Sequence, residues 1–344
     1  MKISVIIPCH NAEAYVGQTI GSVLEQSRRP DEIIVVDDAS TDASLAVIQA
    51  FGLHVRLLST RQGNAADTRA FGYDHAGGDA VLFLDADDVL GPTVLENLER
   101  ELRRYPGSVV SCPWFRLELV DGKWVRRPLS CPPRRKNEDP LMAWLRGWYH
   151  PTSTIMWSRE AYERAGGWDA RGGNNDDGYL MMRALIKGVP LHISENGEAF
   201  YRRLPEGVAT LSGQRFSEKG LRDRIFILED IARLLNERGQ LPRYRRILDE
   251  ALKSIAVDCK PPNQGLIQVC AENRNRFGRK RWERLLHGTI HWATEARKRG
   301  RDEREELKSP PDSSDLEVIS YGMATAKTVL ANAQIPSETQ ETCP

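Results

Sequence analysis

The sequence has no apolar run approaching roughly 18 residues, so it carries no credible transmembrane helix. It has no excess of either charge. Its 48 Lys and Arg balance 48 Asp and Glu, which argues against a protein that coats nucleic acid through global charge. The six cysteines (Cys9, Cys112, Cys131, Cys259, Cys270 and Cys343) include no C-x-x-C pair, which disfavours zinc ribbons and dithiol redox motifs. A reducing cytoplasm is the expected compartment. The apolar opening Ile3-Ser4-Val5-Ile6-Ile7 is soon cut by Pro8-Cys9-His10-Asn11, too short for a secretory signal. No internal repeat is present. What remains is ordinary for a globular protein: 344 residues, 40% apolar and 28% charged, enough for about two domains.

The first hundred residues alternate two periodicities. Ile3–Ile7, Glu32–Val36, His54–Leu58 and Ala80–Leu84 read as strands, because they are short, apolar or β-branched, and bounded by turn residues. Between them, Ala12–Gln26 repeats its apolar positions at spacings of three and four, as an amphipathic helix does. Ser40 or Thr41 is placed to cap a second helix through Phe51. An Ala-rich helix follows over Ala65–His75, and Pro92 opens another to about Tyr105. Strand and helix in alternation predict an α/β fold with a mostly parallel, Rossmann-like sheet flanked by helices. From Val109 to Arg127 the pattern turns to short strands around Asp121-Gly122, and residues 128–140 read as a loop. Mixed α/β character resumes over 141–205. Beyond Ser217 the chain reads as helical, over Leu221–Glu237, Tyr244–Val257 and Arg279–Arg299.

Ligands of such sheets bind beyond the carboxyl ends of the strands. Three of the four strands end there in unusual polar clusters: Pro8-Cys9-His10-Asn11, Asp37-Asp38 and Asp85-Ala86-Asp87-Asp88. Three carboxylates within four residues repel one another, and a cation joining them relieves the repulsion. Oxygen-only ligands favour Mg²⁺ or Mn²⁺, which also bind phosphate oxygens. The competing structural reading is a solvated turn whose Asp caps the next helix. The first βα turn lacks Gly-x-Gly-x-x-Gly, which disfavours a dinucleotide-dependent enzyme.

These segments resemble the family 2 glycosyltransferases of the GT-A fold. The resemblance rests on Val5–Asn11, Val35–Asp42 and Phe83–Asp88, with Gly63 and Arg69-Ala70-Phe71-Gly72 between them. Gly166-Gly167-Trp168-Asp169 and Asp176–Arg183 resemble the family's acceptor-side motifs. The resemblance covers roughly residues 1–210. It implies a metal-dependent, inverting transfer of a sugar from a nucleotide-sugar donor, UDP-linked by expectation, to a hydroxyl of a glycan or lipid-linked acceptor. It implies that Pro8 and His10 line the base pocket and that Asp38 accepts a hydrogen bond from the base. Arg69 would sit near the nucleotide or diphosphate. Asp85 and Asp87 would form the D-x-D motif, with Asp87 a direct metal ligand and Asp85 contacting ribose or metal. Asp177 falls where the family keeps its catalytic base, and Asp176 beside it would raise its pKa by like-charge coupling.

The sequence departs from the family pattern at two points. Asp176 stands where the base's acidic partner is often Glu. Leu204 stands where a His often follows Tyr201-Arg202. His150 is an alternative polar group, more simply read as a loop or acceptor-pocket residue without a catalytic role.

The expected division is a GT-A domain over 1–215 (a nucleotide-binding half, 1–105, and an acceptor-side half, 106–215), a helical region over 216–305 and a flexible tail over 306–344. Residues 274–301 hold ten Lys or Arg against Glu283 and Glu295, with Trp282, Leu285, Leu286, Ile290 and Ala293 on one helical face. Such a basic amphipathic stretch either packs its apolar face on the rest of the protein or lies on an anionic membrane, here over 279–301. Rival functions are a non-catalytic nucleotide-sugar-binding or scaffolding protein and a nucleotidyltransferase. The second would need a Gly-rich basic loop after the first strand, which Pro8–Asn11 lacks.

Overall fold

Two sheets organise the first part of the chain. In the computed structural model, which describes residues 1–129, 131–205, 212–260, 263–276 and 319–332, the larger sheet has seven strands. These are β1 (Ile3–Cys9), β2 (Glu32–Asp38), β3 (Arg56–Thr60), β4 (Ala80–Phe83), β6 (Val109–Ser111), β9 (Ile155–Ser158) and β10 (Leu191–Ile193), in the order β10-β6-β9-β4-β1-β2-β3. All neighbours are parallel except β9, which runs antiparallel to both β4 and β6. A smaller sheet is ordered β5 (Val89–Leu90), β11 (Ala199–Arg203), β7 (Trp114–Val120), β8 (Lys123–Arg127). The hairpin between β7 and β8 turns at Asp121-Gly122, as expected, with both residues at positive φ.

The helices of this unit are α1 (Val16–Leu24), α2 (Ser44–Gln49), α3 (Ala65–Asp74), α4 (Val94–Arg104), α5 (Pro140–Leu145), α6 (Arg159–Ala165) and α7 (Asp176–Ile186). One face of the sheet, through Ile3, Val5, Ile7, Ile33 and Val35, shares a core with Val16, Ile20 and Val23 of α1 and with Val94, Leu95 and Leu98 of α4. The other face meets α3 at Gly72. A methyl group there would come within 2.5 Å of Ile6 Cγ2 and 3.0 Å of Val36 Cγ2. The missing side chain seats α3 directly on β1 and β2, and so sets its first turn at the sheet's carboxyl rim.

Three local expectations are corrected. The first helix begins at Val16, not Ala12, because Ala12 N and Glu13 N are drawn to Ser44 Oγ (2.8 Å) and Asp42 Oδ2 (3.1 Å) across the rim. Ser40 and Thr41 do not cap α2. Asp42 Oδ1 accepts from Ser44 N at 2.9 Å instead, while Ser40 and Thr41 bind Asn11. The third strand begins at Arg56, because Gly52–His54 form a 3-10 turn with Gly52 at φ +54°.

The described residues up to Pro205 and residues 319–332 form one compact unit. Within the stretch expected to be a flexible tail, Met323–Asn332 form α11, and Ala326 and Leu330 are buried in the core shared with α1. Those two apolar residues, four apart on one helical face, explain the attachment. The described part of residues 212–276 forms a second unit of three helices, α8 (Glu218–Glu237), α9 (Leu241–Asp258) and α10 (Gly265–Arg276). It is held by an apolar core and by buried ion pairs of Asp249 with Lys253 and Arg274. The expected helix over 279–299 lies outside the described residues. No described helix is long and apolar enough to cross a membrane.

Candidate active site

The parallel register of β1 and β2 puts Cys9 opposite Asp37, so the loops that follow are neighbours. Pro8 is half-buried at the end of β1, and His10 is exposed just beyond it. His10 Nδ1 lies 2.7 Å from the Asp38 carbonyl oxygen. A carbonyl only accepts, so Nδ1 carries the proton and Nε2 faces Asn11 Nδ2 at 3.3 Å as an acceptor. The loops turn through left-handed residues, Asn11 at φ 49° and Ala39 at φ 55°. Asn tolerates this conformation, whereas for Ala it costs on the order of 1 kcal/mol. The turns are laced together: Asn11 N donates to Ser40 Oγ at 3.0 Å, and Thr41 N donates to Asn11 Oδ1 at 2.8 Å.

Asp38 is buried, and its carboxylate is committed to the chain that follows β3. Gln62 N donates to Oδ1 at 2.6 Å, and Gly63 N (2.9 Å) and Thr68 Oγ1 (3.0 Å) donate to Oδ2. A carboxylate accepts about four hydrogen bonds, so about one accepting position is left. Asp38 thus first ties the end of β2 to the segment that follows β3.

Arg69, next to Thr68 on α3, joins this rim to the acidic motifs. Its Nη2 donates to Asp85 Oδ1 at 2.6 Å and its Nη1 to Asp176 Oδ2 at 2.8 Å, and its guanidinium lies 4.6 Å from the Trp168 ring centre. Burial opposes its charge, but Asp176 and Asp85 more than compensate, and its pKa is raised. Both Nη groups are therefore occupied by carboxylates 107 and 16 residues away. The turn Asp85–Asp88 is pinned from below. Thr19 Oγ1 on α1 lies 2.8 Å from both the Ala86 and the Asp88 carbonyl oxygens. Asp88 is fully buried and accepts from Ser153 Oγ (2.5 Å) and Arg202 N (2.9 Å). Of the three carboxyls, Asp88 is structural, while Asp85 and Asp87 are half-buried and reach the surface of the site.

Electrostatics separates the roles further. Burial, then the neighbouring Asp85, pushes the Asp87 carboxyl up to about 6, against the pull of Arg202 and Arg69. Burial, then Asp176, pushes Asp177 up to about 7. Asp177 lies in the first turn of α7, and Asp176 Oδ1 and Asp177 Oδ1 accept from the backbone N–H groups of Asp177 and Gly178. Among the described residues no three His, Cys, Asp or Glu side chains are arranged to cage a metal ion. Asp85 and Asp87 still suit one, because Mg²⁺ and Mn²⁺ are often held by one or two carboxylates together with phosphate oxygens. Burial first and the neighbouring Asp85 second disfavour the charge on Asp87, and a bound cation would offset both.

Sequence reasoning passed over Arg202, which served only as a landmark beside the departure at Leu204. Arg202 is 2% exposed, and its Nη2 donates to Gln18 Oε1 at 2.6 Å. Its guanidinium lies 4.9 Å from the Tyr15 ring centre and 4.7 Å from the Trp124 ring centre, beside the edge-on contact of those two rings. Among the described residues, its Nε and Nη1 have no hydrogen-bond partner. Burial lowers its pKa, while Asp87 and Asp88 favour its charge. A buried arginine beside an acidic motif was signalled only weakly, by its place on the strand paired with β5 just after Asp88. His150 is buried with Nδ1 2.5 Å from Ser111 Oγ, and burial lowers its pKa to about 4. That fits the non-catalytic reading.

Comparison with known proteins agrees with this geometry. The family described as "Glycosyl transferase family 2" matches residues 4–166. A putative teichuronic acid biosynthesis glycosyltransferase, TuaG of Bacillus subtilis, is 32% identical over 163 residues, covering 46% of this chain and 62% of that protein. Poly(ribitol-phosphate) beta-N-acetylglucosaminyltransferase TarS of Staphylococcus aureus is 34% identical over 131 residues, covering 36% of this chain and 22% of that protein. An uncharacterized glycosyltransferase of Nostoc is 33% identical over 174 residues, 48% of this chain and 53% of its own length. This chain thus spans about half or less of the length of several curated relatives it matches. The crystal structure of S. aureus TarS residues 1–349 with UDP-GlcNAc superimposes with a TM-score of 0.54 at 17% identity, covering 80% of this chain and 89% of that one. That likeness is one of fold, and the fold is the mostly parallel α/β architecture expected of GT-A enzymes.

Proposed function

Because this chain belongs, through residues 4–166, to the family 2 glycosyl transferases, we propose that it transfers a sugar from a nucleotide-sugar donor to a hydroxyl of a glycan or lipid-linked carbohydrate, with inversion and with Asp177 as general base. The observation that carries this reading is the placement of four carboxyls around Arg69. Asp85 and Asp176 pair with it, though burial still raises the Asp176 carboxyl, and Asp87 and Asp177, which make no ion pair among the described residues, also have raised pKa values.

In this reading Pro8, His10 and Asp38 receive the base, and Asp38 also holds the 62–63 backbone that closes the pocket. Asp85 and Asp87 would hold a Mg²⁺ or Mn²⁺ ion, which offsets negative charge on the departing diphosphate. Arg202 adds a second, fixed positive charge near Asp87. Asp177 takes the proton of the acceptor hydroxyl as its oxygen forms a bond to the anomeric carbon. The bond from that carbon to the diphosphate oxygen breaks, and the electron pair leaves with the nucleoside diphosphate. A carboxyl titrating near 7 is suited to this task, since a base works best when its pKa lies near the working pH. Asp176 has two roles: its charge raises Asp177, and its ion pair with Arg69 fixes the start of α7 relative to α3.

UDP-GlcNAc is the first donor to test, because the TarS structure of the same fold holds it. Thermal shift with a panel of nucleotide sugars, with and without Mn²⁺, tests the reading, since ligand stabilisation follows donor affinity. A metal-dependent rise in Tm with one family of nucleotides is expected, and no response to any of them would overturn the assignment. Membrane contact through 279–301 lies outside the described residues and rests on charge pattern alone. Flotation with anionic but not neutral vesicles would support it.

A further inference from the structure

The C-terminal segment 319–332 reaches Arg202 through a single side chain. Gln18 on α1 places its amide between two distant parts of the chain. Its Nε2 donates to the Tyr321 carbonyl oxygen at 2.9 Å, and its Oε1 accepts from Arg202 Nη2 at 2.6 Å. An amide has one accepting end and one donating end. With the Tyr321 carbonyl in place the donating end is committed, so the accepting end must face the guanidinium. Without it the amide is free to rotate and present N–H to N–H.

The segment also builds the walls around Arg202. Ile319 N donates to the Trp124 carbonyl oxygen at 3.1 Å, and the Trp124 ring lies 4.7 Å from the guanidinium. Tyr321 packs 5.8 Å from Phe200, two residues before Arg202 on β11. Its approach depends on two glycines. A methyl group on Gly21 would lie 2.3 Å from Gly322 O, and one on Gly322 would lie 2.3 Å from Gln18 O. Gly322 also stands at φ +76°, and its N–H donates to Glu25 Oε2 at 2.8 Å. An attachment serving stability alone would need the apolar contacts of Ala326 and Leu330. It would not need a carbonyl aimed at a side chain that hydrogen-bonds a buried arginine.

We propose that residues 319–332 are a positioning element for the donor site, and that Gln18 is the positioning residue through which they hold the Arg202 guanidinium beside Asp87. Nη1 and Nε of Arg202 are the groups so presented, buried and without a hydrogen-bond partner among the described residues. The proposal rests on the reading that this site takes a nucleoside diphosphate.

The test uses the full chain with Gln18→Leu, Gly322→Ala and Arg202→Lys, alone and combined, at temperatures well below each variant's Tm. UDP with Mn²⁺ is the probe. Gln18→Leu and Gly322→Ala should each weaken UDP binding about tenfold, the worth of one hydrogen bond to a charged group. Neither should weaken it further in the Arg202→Lys background. Unchanged affinity, or the same tenfold loss with Arg202 already replaced, would overturn the proposal. A second readout needs no nucleotide: the Arg202 Nε–H resonance, assigned by its loss in Arg202→Lys, should shift in both other variants. If wild type fails to bind UDP, the functional reading is at fault, and this resonance still decides: an unmoved signal refutes the positioning role.

Discussion

Asp38 and Asp177 are carboxylates at the same rim of one sheet, and their surroundings are opposite. Asp38 accepts from two backbone N–H groups and a threonine hydroxyl, all from the segment that follows β3. Asp177 has burial and another carboxylate against its charge, and its pKa rises to about 7. Asp88 and Asp87 differ in another way. Asp88 accepts from Ser153 and the Arg202 backbone, yet full burial, then the neighbouring Asp87, still pushes its carboxyl well above the usual range, while Asp87, among the described residues, makes no ion pair and rises to about 6. Hydrogen bonds hold Asp38 and Asp88 to the fold, whereas Asp87 and Asp177 have fewer groups to hold them. Acidic motifs read from a sequence do not reveal this split, because every Asp contributes the same letter.

The contrast is open to experiment. Asp177→Asn should lower turnover by about 10²–10⁴-fold while leaving UDP affinity near wild type, measured by donor-consumption kinetics and calorimetry. Equal loss of binding would give Asp177 a structural role like that of Asp38. Asp87→Asn should lower kcat/KM by about a hundredfold or more and abolish the strengthening of UDP binding by Mn²⁺, since a Lewis acid contributes several kcal/mol. The pH profile of the wild-type enzyme should show kcat/KM rising with pH to a half-point near 7, because only ionised Asp177 accepts the proton. That limb should be missing from the residual activity of Asp177→Asn.

Asp38→Ala should act mainly on folding, with a loss of about 1–3 kcal/mol from the donors left unpaired, read by chemical denaturation. The smallest effect has the opposite sign. A carboxyl that holds its proton more tightly in the folded than in the unfolded chain makes folding less favourable as pH rises from 3.8 to about 7. Asp177→Asn should therefore raise Tm slightly at pH 8 and not at pH 4. A lower Tm at pH 8 would mean that Asp177 is satisfied in the fold after all.

Much of the fold was legible because its signals are local. β1, β2 and β4 are short apolar runs closed by polar residues, and the Asp121-Gly122 hairpin and α8 declare themselves by composition and period. Boundaries moved where side chains from another loop took the backbone's hydrogen bonds, as Ser44 and Asp42 do at Ala12 and Glu13. Of the residues singled out for the site, Asp38, Asp85 and Asp176 are linked by consecutive positions of α3, Thr68 facing Asp38 and Arg69 facing Asp85 and Asp176, with Asp87 and Asp177 close by in sequence to the last two. Arg69 was read as a nucleotide contact, and the structure spends both its Nη groups on carboxylates. Arg202 was signalled only weakly, and Gln18 was illegible, since nothing near it in sequence announces an amide bridge across 303 residues.

The sequence alone determined the alternation of strand and helix, and with it that the acidic clusters would gather at one end of a parallel sheet. It did so because side-chain periodicity and turn residues act over a few neighbours. Only the tertiary structure decided which of those carboxyls would pair with Arg69, which of them burial would push upward in pKa, and that a helix from the far end of the chain would press against α1. Proton affinity depends on burial and on charges within a few ångströms, and those charges come from segments that meet only when the chain is folded.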